Sequence, residues 1–371
     1  MNENHYLWIA SLFVLTLISV EYFVSVAKGK KIYRIQNTTL NITIGMFDRA
    51  IGLFLYPATY FLYDYIFDNY AFFQFENTAL VIVIGIILSD FLWYLYHVLG
   101  HKVNIFWGAH IVHHQSEDYN YSIALTITPL QAIVRFLIWT GMVFAGFSPQ
   151  LVLGSQLLIG VYQFFLHSTL IPKLGFIEKI LITPSHHRVH HGSNENYLDK
   201  NYGGVLLIWD KMFGTFEEEK EEVVFGITKD LNTRGFMKSI FHYYCNLAFQ
   251  MKQLPDFKDK MRLLFKGPDW VPASGELEIS SIYIEKGDYH YHDISIFNRI
   301  YLYISMAFIF AILIFTGLYL KDLTAFNLSL LISAIIISII AVNRIIENKK
   351  IILLEILKYG VLAFVCIDLI Q

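Results

Sequence analysis

The sequence predicts an all-α protein, a multi-span membrane helical bundle carrying a cytoplasmic histidine-box di-metal domain. Three observations predict it. Of 371 residues, 55% are hydrophobic and 16% charged, with a mean hydropathy of +0.47, a balance that belongs to the membrane class. Apolar runs recur at about the 20-residue length that a helix needs to cross a bilayer. Ten of the fourteen histidines fall between Asp90 and Trp209, in clusters whose spacing repeats.

The apolar runs are Leu7 to Ala27, Ala50 to Phe67, Leu80 to Leu99, Thr126 to Gly146, Leu151 to Leu170, Ile300 to Leu320, Phe326 to Val342 and Ile351 to Ile370. The first lacks a basic leader, is longer than a signal core and contains Glu21, so it reads as a span rather than a cleaved signal. Basic residues then set orientation. Lys28, Lys30, Lys31 and Arg34 follow the first run, Lys102 the third, and Arg344, Lys349 and Lys350 the seventh, whereas the other side offers almost only Lys321. The positive-inside rule makes the basic loops cytoplasmic and places both termini outside. Every histidine cluster then lies on the cytoplasmic side.

The segment Phe147-Ser148-Pro149-Gln150 reads as a tight turn that makes the fourth and fifth runs a hairpin, shallow or re-entrant. Arg135 within the fourth run either faces the site or snorkels to the interface. Between Ile171 and Asn298 the composition is mostly that of a soluble segment, and the charges from Glu217 to Glu222 read as a solvated face. Met237, Ile240, Phe241, Tyr244 and Leu247 recur at helical spacing with lysines and Arg262 beyond them, the pattern of an interfacial helix or of an amphipathic core helix. The chain thus divides into N-terminal spans (1–79), a histidine-box domain (80–230), an interfacial helical segment (231–295) and C-terminal spans (296–371). A net charge of -3 and a pI near 6.5 provide no general basic field for nucleic acid. Cys245 and Cys366 make no disulfide or thiolate pattern, so a metal here is held by nitrogen and oxygen.

The histidines form His97-x-x-x-His101, His110-x-x-His113-His114, a single His167, and His186-His187-x-x-His190-His191. Residues at i, i+3 and i+4 share a helix face, so each box presents clustered imidazoles. His97, His101, His110, His113, His114, His167, His187, His190 and His191 are the expected ligands, more nitrogen donors than one ion accepts. Structural zinc is normally closed by four ligands, so the surplus points to a two-metal catalytic centre, and imidazole alone leaves iron, zinc, copper and nickel open. His186 is either a ligand or a group behind one. Asp90, Asp118 and Asp199 stand close enough in sequence to orient imidazoles through the second ring N–H. His5, His242, His290 and His292 read as ordinary core or interface histidines.

This set of boxes on a multi-span chain resembles the fatty acid hydroxylase and sterol desaturase superfamily of membrane di-iron oxygenases. Longer stretches, His113-His114-Gln115-Ser116-Glu117-Asp118-Tyr119-Asn120, Thr183 through Gly192, Asp199-Lys200-Asn201-Tyr202-Gly203-Gly204 and Trp209 through Glu217, are similar to its alkylglycerol monooxygenase branch. The resemblance, specific from about Leu88 to Trp270, departs at four positions. That branch carries arginine and glutamate where this chain has Val98 and Lys102, and arginine and glutamine where it has Thr126 and Ile127.

The resemblance implies two iron ions, O2, an external electron donor with tetrahydropterin as the candidate, and hydroxylation of a lipid C–H bond. Beside a glyceryl ether oxygen, the product hemiacetal would collapse to an aldehyde and glycerol. It also implies a multi-pass protein of a bacterial inner membrane or a eukaryotic endoplasmic reticulum. Tyr119, Asn120 and Tyr121 are candidate contacts for the polar end of the substrate. A sterol, fatty acyl or carotenoid substrate is the alternative within the superfamily. A non-enzymatic metal transporter or sensor is the alternative outside it, although a transporter places its ligands along span midplanes.

Overall fold

The computed structural model describes residues 4–370, with side chains described from 12 to 368. Helices α1 (Asn4–Ala27) and α2 (Ile35–Tyr70) lead to α3 (Ala79–Lys102) and α4 (Asn104–His114). The hairpin follows as α5 (Pro129–Ala145) and α6 (Pro149–Phe164), then the short α7 (Pro184–His190) and α8 (Ile208–Phe213). Two amphipathic helices, α9 (Phe236–Gln253) and α10 (Phe257–Phe265), precede α11 (Ile296–Leu318), α12 (Ala325–Ile346) and α13 (Ile352–Ile370). The described sheet is one antiparallel ribbon of two residues a side, β1 (Asp230–Leu231) against β2 (Tyr283–Ile284).

Among the described residues, α3, α11 and α12 are long and apolar enough to cross a membrane. The other expected spans fall on α1, the second half of α2, α5, α6 and α13. At 17 and 16 residues, α5 and α6 measure about 25 Å, short of a hydrocarbon core of about 30 Å. The hairpin is therefore shallow. Gly146 turns it at a φ of +110°, where a Cβ would collide with the Phe73 carbonyl, and the Ser148 hydroxyl caps α6 by accepting from the Leu151 N–H at 3.3 Å.

Two apolar cores meet at α2. Its N-terminal half packs with α9, α11 and α12 through Leu40, Ile44, Ile240, Ile335 and Ile339. Its C-terminal half joins α3, α5 and α6 through Tyr63, Trp93, Trp139, Val143 and Val152. The first half also buries Gln36, Asn37, Asn41 and Thr43, which serve as anchors: Asn37 donates to Asp118 at 3.0 Å, Asn41 to Ser122 at 3.0 Å, and Asn343 of α12 to Thr43 at 2.9 Å. Helix α9 packs against α4 and buries only part of its apolar stripe, Ile240 and Leu247, while Met237 stays half exposed. There Tyr244 packs over Gly108 and donates to the Ile105 carbonyl at 3.0 Å.

Trp139 is fully buried and donates to the Ser89 hydroxyl at 2.7 Å. Trp139→Ala is expected to cost about 3–5 kcal/mol and to lower the thermal unfolding midpoint in detergent. The metal content of the still-folded protein should be unchanged.

Candidate metal centre

Nine buried histidines converge from four parts of the fold: the end of α3, the last two turns of α4, the segment after α6, and α7 with its first following residue. They form two groups, His97, His101, His110, His114 and His190, and His113, His167, His187 and His191, in each of which the ligand atoms lie within 4.8 Å of one another. The grouping follows from helix geometry. At 3.6 residues per turn, the first and last histidines of an H-x-x-H-H box point within about 40° of each other, while the middle one is turned about 100° from the last. Each box therefore keeps two imidazoles for one group and sends its third across: α4 gives His110 and His114 to the first group and His113 to the second, and the third box gives His187 and His191 to the second and His190 to the first.

The ring nitrogens face inward in pairs. His97 and His110 bring their Nε2 atoms to 3.0 Å, His110 and His114 to 3.2 Å, His113 and His167 to 3.1 Å, and His167 and His187 to 3.0 Å. Nitrogens sharing an ion at about 2.0–2.1 Å stand about 3 Å apart when the bonds are at right angles. The opposite nitrogens face outward onto acceptors. His97 Nδ1 donates to the Tyr202 carbonyl, His190 to that of Lys200 and His167 to that of Gln163, each at 2.9 Å. His113 meets Thr126 Oγ1 at 3.1 Å and His110 meets Gln131 Oε1 at 3.4 Å. An acceptor behind Nδ1 fixes the proton there and turns the Nε2 lone pair inward.

Buried Nε2 atoms of His101, His190 and His191 have no hydrogen-bond partner. Each unsatisfied polar atom costs about 1–3 kcal/mol in a dry interior, and a metal ion is what lone pairs converging on one point can share. The residues fit such a group. Burial, then neighbouring imidazoles, holds His110, His113, His114, His187, His190 and His191 well below the usual histidine range, and burial brings His167 down to about 4. Neutral rings are the form that binds metal.

Other expected residues divide. Asp199 faces His101 Nδ1 at 3.6 Å and accepts from Lys102 at 2.5 Å and from the Tyr202 hydroxyl at 3.0 Å. Burial opposes its charge, but His101 and Lys102 outweigh burial and hold its carboxyl below the ordinary range. Lys102 thus has a defined partner. Asp90 instead accepts from the Val205 and Leu206 N–H groups and the Trp209 indole, and Asp118 from Asn37 and the Arg34 N–H; neither meets an imidazole. His186 lies outside both groups and closes a capping box with Thr183 at the start of α7. Tyr119 stands beside His191 and His167, its ring stacked on Phe225 at 4.4 Å. Asn120 caps a 3-10 turn through Ser122, and Tyr121 stacks on Phe164. Arg135 lies near Asp48 and His110. His242 meets the Tyr283 hydroxyl at 2.7 Å, and the His5 side chain lies outside the described residues.

Gln131, Thr126, Gln163 and the carbonyls of Lys200 and Tyr202 support the imidazoles, and spacing alone did not single them out. Asp199 and Asn201 flank Lys200 at φ of 60° and 56°, the left-handed region that Asp and Asn enter more readily than other residues with a Cβ. Asn201 is clamped there by donating to the His186 and Glu217 carbonyls at 3.0 and 2.7 Å. The stretch Asp199 to Gly204 carried the signal as a motif without revealing its role.

Residues 82–215, which contain all nine histidines, match the model of the fatty acid hydroxylase family. Alkylglycerol monooxygenase of Danio rerio is 31% identical over 322 residues, 85% of this chain and 72% of that protein. The chain belongs to the fatty acid hydroxylase family. Within it, human alkylglycerol monooxygenase is 39% identical over 274 residues, 73% of this chain, and the chain spans 61% of that protein's length. An ornithine lipid hydroxylase of Rhizobium tropici is 27% identical over 180 residues, 44% of this chain and 50% of that protein. No solved structure matches.

His187→Ala is expected to remove about half of the bound metal and His186→Ala none, measured by metal analysis of purified protein. Asp199→Ala, which frees His101 and Lys102 together, should weaken metal retention about 10–100-fold in a chelator competition.

Proposed function

We propose that the chain is an O2-dependent di-iron monooxygenase that hydroxylates a lipid C–H bond next to a glyceryl ether oxygen. The observation that carries this reading is the pair of adjoining all-imidazole groups, each filled by a residue from the other group's box, in a family whose similar members include alkylglycerol monooxygenases. His97, His101, His110, His114 and His190 would hold one ion, and His113, His167, His187 and His191 the other. When bound, the iron pair supplies the O2-derived oxidising power that replaces hydrogen by hydroxyl.

The chain's own part is positioning and exclusion of water. The outward acceptors behind His97, His110, His113, His167 and His190 hold those five imidazoles in one tautomer, so much of the donor set is organised before metal arrives. Tyr119, Tyr202 and Trp107 pack edge or face against the imidazoles, which keeps the centre dry and favours reaction with a lipid over side reactions with water. The excess of lysines after the first, third and seventh spans supports placing the centre on the cytoplasmic side. O2, a lipid from the bilayer and an external electron donor, tetrahydropterin being the candidate, complete the reaction. The lysine at 102, paired with Asp199, and the similarity to an ornithine lipid hydroxylase favour hydroxylation of another lipid as the second reading.

Membranes containing the protein, given radiolabelled alkylglycerol and O2 with or without tetrahydropterin, should release labelled aldehyde only with the pterin. His113→Ala and His190→Ala should each lower turnover by at least about 100-fold. Wild-type membranes that leave alkylglycerol intact while hydroxylating another lipid would select the second reading, and undiminished turnover in both variants would remove the metal centre from the reaction.

A further inference from the structure

Asp90 stands eleven residues from the start of α3, about 17 Å along its axis, where a hydrocarbon core of about 30 Å has further to run. At that level α3 is met by the non-helical segment before α8: Asp90 accepts from the Val205 and Leu206 N–H groups at 2.7 and 3.2 Å and from the Trp209 indole at 2.8 Å. One turn further along, Tyr94 stacks on Phe213 at 5.3 Å. Irregular backbone survives at membrane depth only where protein satisfies its polar groups, and this segment meets that demand. Asp210 accepts from the Tyr202 and Gly203 N–H groups, each at 2.8 Å. Gln163 of α6 donates to the Gly203 and Gly204 carbonyls. Ile182 N–H donates to the Val205 carbonyl and Leu207 N–H to that of Ile180, both at 2.9 Å.

Outside this satisfied backbone the side chains are apolar and uncovered. Phe176 is 71% exposed, Met212 63% and Phe213 55%, with Ile177, Ile180 and Ile208 beside them at about half. Lys173, Lys179 and Lys211 are the exposed cations among them, and Lys211 reaches the Lys179 carbonyl at 2.8 Å. Within residues 174–182 and 205–213 the carboxylates are Glu178, which accepts from the Leu174 N–H and the Thr183 hydroxyl, and the fully buried Asp210. Lysine stems lie along apolar surface while their ammonium groups seek the polar boundary, and anionic headgroups complement them.

We propose that residues 174–182 and 205–213 form a membrane-embedded wedge against α3, with Phe176, Ile180, Met212 and Phe213 among the acyl chains and Lys179 and Lys211 at the headgroups of the same leaflet. The occupant of this face is the lipid bilayer itself. The wedge extends the lipid boundary into a stretch whose composition reads as soluble, and places acyl chains directly beside the loop that supports His97 and His190. This inference rests on α3 crossing the membrane and does not depend on the proposed reaction.

The test uses the full chain in lipid nanodiscs with Cys245→Ser and Cys366→Ser, carrying one bimane-labelled cysteine at a time. Phe176→Cys and Met212→Cys should be quenched by lipids bearing a nitroxide on the acyl chain as strongly as Leu137→Cys on the exposed face of α5, and should resist iodide. Lys220→Cys should behave in the opposite way, and Lys179→Cys should respond best to a nitroxide near the headgroup. Should one variant fail to fold, the other of the Phe176 and Met212 pair decides. Iodide quenching at Phe176 and Met212 equal to that at Lys220, with no acyl-chain quenching, would overturn the wedge.

Discussion

Everything near the centre depends on one constraint: nine imidazoles are buried with ring nitrogens as close as about 3 Å, and lone pairs that converge in a dry interior repel unless something shares them. Protonation does not relieve the crowding, because burial and neighbouring rings hold these histidines neutral. The outward acceptors settle the matter by assigning the second nitrogen of several rings to a carbonyl, hydroxyl or amide oxygen. What remains is a set of inward lone pairs in the arrangement a metal ion requires, with two groups side by side.

The crossing of His113 and His190 between the groups explains why the fold must bring α4 and α7 into contact. Neither box completes its own group, so the hairpin of α5 and α6 serves as the strut that returns the chain to α4 and supplies His167 on the way. The loop from Asp199 to Gly204 then closes the arrangement from outside. Its two left-handed residues are held in place by Asn201 and Asp210, and the turn they make presents the Lys200 and Tyr202 carbonyls to His190 and His97.

Much of this was legible beforehand. Apolar length found the long helices because crossing a bilayer imposes a length, and histidine spacing picked out the nine imidazoles that the fold gathers into two groups because helix periodicity places i, i+3 and i+4 together. The division of each box between two groups follows from the same periodicity but needs the facing helix to become visible. Partners that act through backbone carbonyls, such as Lys200 and Gln163, leave no side-chain signature. Asp90 and Asp118 were misleading for a related reason: a carboxylate near a box in sequence serves whatever N–H groups the fold presents, and here those belong to the 205–209 segment and to the start of α2. The stretch around Phe176 and Met212 reads as soluble because its apolar residues are too few and too scattered to make a span, and only folding gathers them on one face.

The most direct test of the central claim is iron quantification on the purified wild-type protein combined with X-ray absorption at the iron edge. Two ions per chain are expected, bound to nitrogen and oxygen donors with the multiple-scattering signature of several imidazoles. One ion per chain, no ion after reconstitution under reducing conditions, or a shell containing sulfur would contradict it.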